Sequence, residues 1–205
     1  GAVIALWQTD IKRLLAYSAI THAGFILVGV VGAVVLDKDV FVTSLGAVAF
    51  YLLTYGVATL GAFGLVMCVR RAGGEATSLD DWKGIGKSNP LLAGVMTLFF
   101  LSFAGIPLTA GFVGKLAVFA AAFQGGYAWL VIVAIIMSVV AAYFYLKVTV
   151  AMWFDSADED SEVVVATPSL WVWSLVVISA LATVILGLVP GGILDLFGQF
   201  SEFIR

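Results

Sequence analysis

Leu101-Ser102-Phe103-Ala104-Gly105-Ile106-Pro107-Leu108-Thr109-Ala110-Gly111-Phe112-Val113-Gly114-Lys115 is the stretch on which the fold turns. An apolar run enters it from Leu91 and leaves it towards Phe123. Gly105-Ile106-Pro107 interrupts that run, because proline lacks an N–H and clashes with a continuing helix. Two short helices are expected, about Leu91–Ala104 and about Leu108–Phe123. The break fits an irregular backbone at membrane depth, satisfied by protein or water. It fits equally an ordinary tight turn between two short helices. Lys115 lies inside the second apolar segment, where a lysine costs about 2.5–3.5 kcal/mol on insertion scales. It is tolerated there when it faces a partner or water, or when it snorkels to an interface. A lysine able to lose and regain its proton is what a proton relay needs.

The rest of the chain has the same character. Of 205 residues, 62% are hydrophobic and 11% charged, with a mean hydropathy of +1.13. A soluble domain carries about a quarter charged residues, so the expected solvent is a bilayer. Residues 14–36 carry no charge beyond a possible one on His22. Residues 40–69 and 163–194 carry none. Between Leu91 and Lys147 the only charges are Lys115 and Lys147. A net charge of −3 gives no basis for nucleic-acid binding. The single cysteine, Cys68, and the single histidine, His22, exclude a disulfide framework and a Cys/His metal cluster. The start, Gly1-Ala2-Val3-Ile4, lacks a basic n-region and an initiator Met, so the chain reads as a segment of a longer protein.

The apolar runs predict an all-α, polytopic bundle of six to seven membrane helices. The first reaches to about Tyr17 and the second covers about Ala19–Leu36, closed by Asp37-Lys38-Asp39. The third covers about Val40–Val69, closed by Arg70-Arg71 and Gly73-Gly74. A polar loop, Glu75–Asn89, leads to Pro90, a helix-start residue. After the broken pair come a helix over about Tyr127–Phe154, an acidic loop over Asp155–Glu162, and a helix over about Pro168–Val189. In the tail, Ile193, Leu196, Phe197, Phe200, Phe203 and Ile204 recur at helical spacing, so residues 193–205 predict an amphipathic helix. This count places the Arg70–Lys87 loop and the acidic loop on opposite faces. The positive-inside rule makes the first of them cytoplasmic.

Other charges stand near apolar segments. Asp10 and Arg13 are three apart on one helix face and can pair, which leaves Lys12 as the unpaired, titratable member. His22 is either a satisfied interior residue or a relay, since its ordinary pKa lies near neutrality. Lys147 is either a relay or a snorkelling lysine about 10 Å from its helix end.

Gln8-Thr9-Asp10-Ile11-Lys12-Arg13-Leu14-Leu15-Ala16-Tyr17-Ser18, followed by Thr21-His22-Ala23-Gly24-Phe25, resembles a signature of the antiporter-like subunits of respiratory NADH:quinone oxidoreductase, complex I. The Leu101–Lys115 stretch resembles that family's broken-helix segment, and Leu79-Asp80-Asp81-Trp82-Lys83-Gly84 extends the likeness over essentially the whole chain. A lysine at position 115 resembles the N-type members; M-type members usually carry glutamate there. The resemblance implies two inverted five-helix repeats, of which this chain holds the C-terminal half. Residues 1–18 would end the last helix of the first repeat. Residues 19–154 would form the second repeat, and residues 155–205 the acidic loop, the final span and the amphipathic helix. It implies that Lys115, Lys12, Lys147 and His22 line a hydrated proton-relay axis at mid-membrane depth. It implies no cofactor in this chain: NADH, FMN, iron–sulfur clusters and quinone would belong to other subunits. The implied partners are the lipid bilayer and M-type, K-type and J-type neighbours, in a bacterial plasma membrane. The competing reading is an Mrp-type cation/proton antiporter subunit, which shares the fold and related motifs.

Overall fold

The computed structural model describes residues 1–32, 38–71, 74–156, 163–166 and 169–202. The Asp37 turn residue, Gly73, most of the acidic loop, Pro168 and the tail residues Phe203 and Ile204 lie outside the described residues, as does residue 36 at the expected end of the second helix.

The described chain is helical almost throughout. A short α1 (Ala2–Ala5) is followed by α2 (Ile11–Gly32) and α3 (Lys38–Val66). Strands β1 (Val69–Arg71) and β2 (Gly74–Glu75), a 3-10 helix over Leu79–Trp82 and a short α4 (Ile85–Ser88) build the next connection. Then come α5 (Pro90–Ala104), α6 (Ala110–Gln124), α7 (Ala128–Phe154), β3 (Val164–Val165), α8 (Leu170–Leu188) and α9 (Gly191–Glu202). Among the described residues, four helical stretches are long and apolar enough to cross a bilayer alone: Ile11–Gly32, Ser44–Val66, Ala128–Phe154 and Leu170–Leu188. The broken pair α5 and α6 is shorter, as its proline and glycine dictate.

Two expectations need correction. The helix break near Ser18 does not exist: α2 runs unbroken through it. The break lies earlier, because Asp10 caps α2. Its side-chain oxygen accepts the Arg13 N–H at 2.9 Å, and its carbonyl accepts the Leu14 N–H at 2.9 Å. A short polar side chain at that position competes with the preceding backbone and starts a helix there. The 75–89 connection is also more ordered than a polar loop. Trp82 is fully buried and donates its indole N–H to the Ala76 carbonyl at 3.0 Å. Arg71 pairs with the buried Asp81 carboxylate at 3.2 Å.

The second correction concerns the two loops placed on opposite faces. β1 pairs antiparallel with β3, with Val69 opposite Val165 and Arg70 opposite Val164. Lys87 donates to the Asp155 carbonyl at 3.2 Å, and the Gly84 N–H donates to the Ala151 carbonyl at 3.1 Å. Both connections therefore sit at one end of the bundle. The start of α2 joins them, since the Ile11 N–H donates to the Thr77 carbonyl at 2.7 Å. α5 leaves this end and α7 returns to it, so α5 and α6 together make one traverse. Had they formed a hairpin, α7 would finish at the far end. The Gly105-Ile106-Pro107 interruption is therefore a break within a traverse, and counting its halves as two spans put the loops on opposite faces.

The interior is apolar and closely packed, with Phe99, Phe100, Phe103, Phe144, Tyr51 and Tyr145 all nearly or fully buried. Outward-facing Ile132, Ile136, Val139 and Val150 on α7, and Trp171, Ile178, Leu181 and Ile185 on α8, present apolar faces suited to lipid or neighbouring membrane helices. α9 packs along α3.

Candidate functional site

The break sets the site. A helix leaves its last carbonyls without intrahelical donors, and α5 ends at Gly105 with a left-handed φ of 82°. The Gly105 N–H returns to the Leu101 and Ser102 carbonyls at 3.0 Å each, and the Ile106 N–H to Leu101 at 3.0 Å. The carbonyls of Phe103 and Ala104 are left over. Lys115, reaching from α6, donates to them at 2.9 and 3.0 Å. Its third partner is the Ser138 hydroxyl of α7 at 2.8 Å. An ammonium has three protons and no acceptor, so the charged form fits its three acceptors one for one. The negative end of the α5 dipole favours the same charge. Proton loss leaves two N–H groups and one lone pair, which Ser138 can meet by turning to donate. Lys115 is 5% exposed and also borders an open, largely apolar cavity of about 350 Å³ shared with Phe112, Phe119 and Ile135.

The two halves of the traverse touch side by side. A Cβ on Gly111 would lie 1.9 Å from the Ser102 carbonyl oxygen, and the Gly111 N–H donates to Ser102 Oγ at 3.1 Å. Glycine at 111 lets α6 approach α5 closely enough for Lys115 to reach back.

His22 stands nearby, fully buried on α2. Phe25 bridges the two groups: its ring lies 5.7 Å from the His22 ring and 5.1 Å below the Lys115 ammonium. Both imidazole nitrogens are engaged. Nδ1 meets Tyr51 Oη at 2.7 Å and Nε2 meets Tyr145 Oη at 3.1 Å. Tyr145 Oη also bonds Ser18 Oγ, and Ser18 Oγ lies 3.5 Å from Tyr55 Oη. The Tyr55 ring stacks on His22 at 4.1 Å.

The fold thus brings Lys115 and His22 together and holds Lys12 and Lys147 elsewhere. Lys12 is not unpaired: at the loop end of the bundle it forms an ion pair with Glu75 of β2. Glu75, remote in sequence but adjacent through the Asp10–Ser78 bridge, is a partner that local spacing could not supply. Lys147 points away from the His22 cluster and lines an open cavity of about 620 Å³ with Gln8, Thr9, Asp80 and Asp155. Tyr51, Tyr55, Tyr145 and Ser138 went unnoticed in the sequence. Tyr51 and Tyr55 carried a signal: they are four residues apart in the middle of an uncharged apolar run. A hydroxyl there needs a partner, and membrane tyrosines usually gather at the interface. Among the described residues, no group of three or more His, Cys, Asp and Glu is placed to hold a metal ion.

A family described as "NADH:quinone oxidoreductase/Mrp antiporter, TM" matches residues 1–141, which include α2, the break, Lys115 and His22. The chain belongs to that family. It is therefore an integral membrane protein. A "NADH-quinone oxidoreductase subunit N" of Cutibacterium acnes is 50% identical over the whole chain, which spans 39% of that relative's length. A chain in "Respiratory complex I from Thermus thermophilus with bound Aureothin" superposes with a TM-score of 0.78 at 32% identity, over 95% of this chain and 42% of that one. A chain of the Mrp complex from Dietzia sp. DQ12-45-1b gives a TM-score of 0.80 at 20% identity, over 98% of this chain and 44% of that one. At that identity the likeness is one of fold alone.

Proposed function

We propose that this chain is the part of an N-type complex I subunit that carries protons through the membrane, with Lys115 as its proton-exchanging group. The observation that carries the reading is the bonding of Lys115 to the Phe103 and Ala104 carbonyls at the broken traverse. A structural tie to those carbonyls could come from a neutral donor without burying a charge, which is costly. An ammonium that must exchange a proton needs this kind of shell: acceptors for the charged form and a hydroxyl that can reverse for the neutral one.

In this reading His22 lies next along the path, Lys12 stands at the loop end of the bundle, and Lys147 stands at the cavity beside it. The second repeat extends to Phe154, with α2, α3, the broken α5–α6 traverse and α7 as its last four traverses. NADH, FMN, iron–sulfur clusters and quinone belong to other subunits, to which this one couples by charge and conformation. Its neighbours are M-type, K-type and J-type subunits in a bacterial plasma membrane. Whole-chain identity of 50% to a protein named as subunit N favours this reading over an Mrp-type antiporter.

The test is Lys115→Met in the full-length protein, in membrane vesicles. NADH oxidation and NADH-driven proton uptake are recorded together, with assembly followed on a native gel. Pumping is expected to fall strongly in an assembled complex. Unchanged pumping overturns the role of Lys115.

A further inference from the structure

We infer that Tyr51, His22, Tyr145 and Ser18 form a reversible proton wire, in which tyrosine hydroxyls carry the proton away from the Lys115 region along α2. The inference rests on the function proposed above and names further transferring groups for it.

The geometry is continuous and buried. Tyr51 Oη, His22 Nδ1, His22 Nε2, Tyr145 Oη and Ser18 Oγ follow one another at hydrogen-bond distance. Tyr51, His22, Tyr145 and Ser18 are each fully buried. Tyr51 marks the Lys115 end: its ring packs so closely on α6 that a Cβ on Gly114 would lie 2.6 Å from it. Ser18 follows Tyr145, about 9 Å along α2 from Lys12. The wire uses three separate helices, α3, α2 and α7, so it exists only in the folded bundle.

A neutral imidazole has one N–H and one lone pair. One tyrosine must therefore donate to His22 while the other accepts from it. Both ring nitrogens are satisfied in either tautomer, and exchanging the tautomers reverses the direction of the chain. In one transfer, the Tyr51 O–H bond breaks as Nδ1–H forms. Nε2–H breaks as a new Tyr145 O–H forms, and the proton Tyr145 held passes to Ser18 Oγ. Ser18 then passes its own proton to Tyr55, which gives up its hydroxyl proton in turn. One proton enters at Tyr51 and one leaves at Tyr55, with no change in net charge. Rotation of the hydroxyls and return of the imidazole tautomer reset the wire.

The experiment uses Tyr145→Phe in the full-length subunit of the intact complex, in vesicles. This variant keeps the ring that packs on Phe100, Phe103 and Phe144 and removes only the oxygen between His22 and Ser18. Lys115→Met is measured in the same membranes. Tyr145→Phe is expected to lower the rate of NADH-driven proton uptake by about tenfold or more, as loss of a positioned proton-transfer group does. It is also expected to change the ratio of rates in H2O and D2O, which a packing defect would leave alone. A smaller fall, or a fall with an unaltered isotope ratio, overturns the wire. If Lys115→Met abolishes pumping while Tyr145→Phe does not, the wire fails and the proposed function stands. If Lys115→Met pumps normally, the proposed function itself fails. Should Tyr145→Phe not assemble, Tyr51→Phe at the other end of the imidazole is read by the same criteria.

Discussion

Lys115 on α6 donates to the carbonyl of Phe103 at the end of α5, at 2.9 Å, and so ties the two halves of one membrane traverse. The same ammonium also satisfies Ala104 and Ser138. Ser138→Ala removes one of three acceptors and leaves one proton of the buried ammonium without a partner. Loss of a hydrogen bond to a charged group costs about 1.5–3 kcal/mol. The full-length protein in detergent is expected to unfold at lower temperature, and NADH-driven pumping to fall, with Ser138→Thr less affected than Ser138→Ala. Equal thermal stability in Ser138→Ala and the parent would contradict the three-acceptor arrangement.

Gly111 and Gly94 are both helical glycines near the break, with opposite surroundings. A Cβ at Gly111 meets backbone 1.9 Å away, whereas none meets anything within 4 Å at Gly94. Gly111→Ala must push α6 off α5, and overpacking of this kind costs about 1–3 kcal/mol or more. It also withdraws Lys115 from its carbonyls. Gly94→Ala is expected to be neutral or mildly stabilising, as alanine is the better helix former. Thermal unfolding of both variants decides the matter: a tolerated Gly111→Ala would rule out the close approach.

The strand pairing makes a topological prediction. Lys87 and Asp155 meet at one end of the bundle, so cysteines placed singly at these two positions, in a Cys68→Ala background, react with a membrane-impermeant maleimide from the same side. Labelling from opposite sides would mean that α5 and α6 cross the membrane separately.

Asp10 is expected to act as a cap with an acid limit. Partial burial works to raise its carboxyl; hydrogen bonds from Thr77 and from the Arg13 and Lys12 backbone outweigh this and hold it below its ordinary value of 3.8. A group lowered by folding stabilises the fold above that ordinary value, and the contribution disappears as the pH falls through the lowered one. Stability should therefore be flat near neutrality and decline only in strongly acid solution. Asp10→Asn keeps a cap and loses that acid dependence. Asp10→Ala loses the cap as well, at about 1 kcal/mol. An acid titration of the unfolding temperature for all three proteins checks both points.

Much of this was legible in the chain before its structure. The apolar runs located α3, α7 and α8 to within a few residues, and Pro90 and Gly105 bracketed α5. Lys115 and His22 stood out because each is polar in an apolar run. The helix break near Ser18 was misplaced because Ser18 looks like a polar interruption, while Asp10, the real start, looks like part of a charged cluster. Lys12 was misjudged because Glu75, its partner, lies 63 positions away.

The sequence by itself determined the solvent, the helices and the cost of Lys115, because hydropathy, proline and glycine act locally on the few residues around them. Only the tertiary structure decided that α5 and α6 make a single traverse, that Lys115 closes the break between them, and that His22 sits between two tyrosines. Those facts depend on atoms from α2, α3, α5, α6 and α7 meeting in three dimensions. A hydrogen bond between distant residues leaves no periodicity in the chain that forms it.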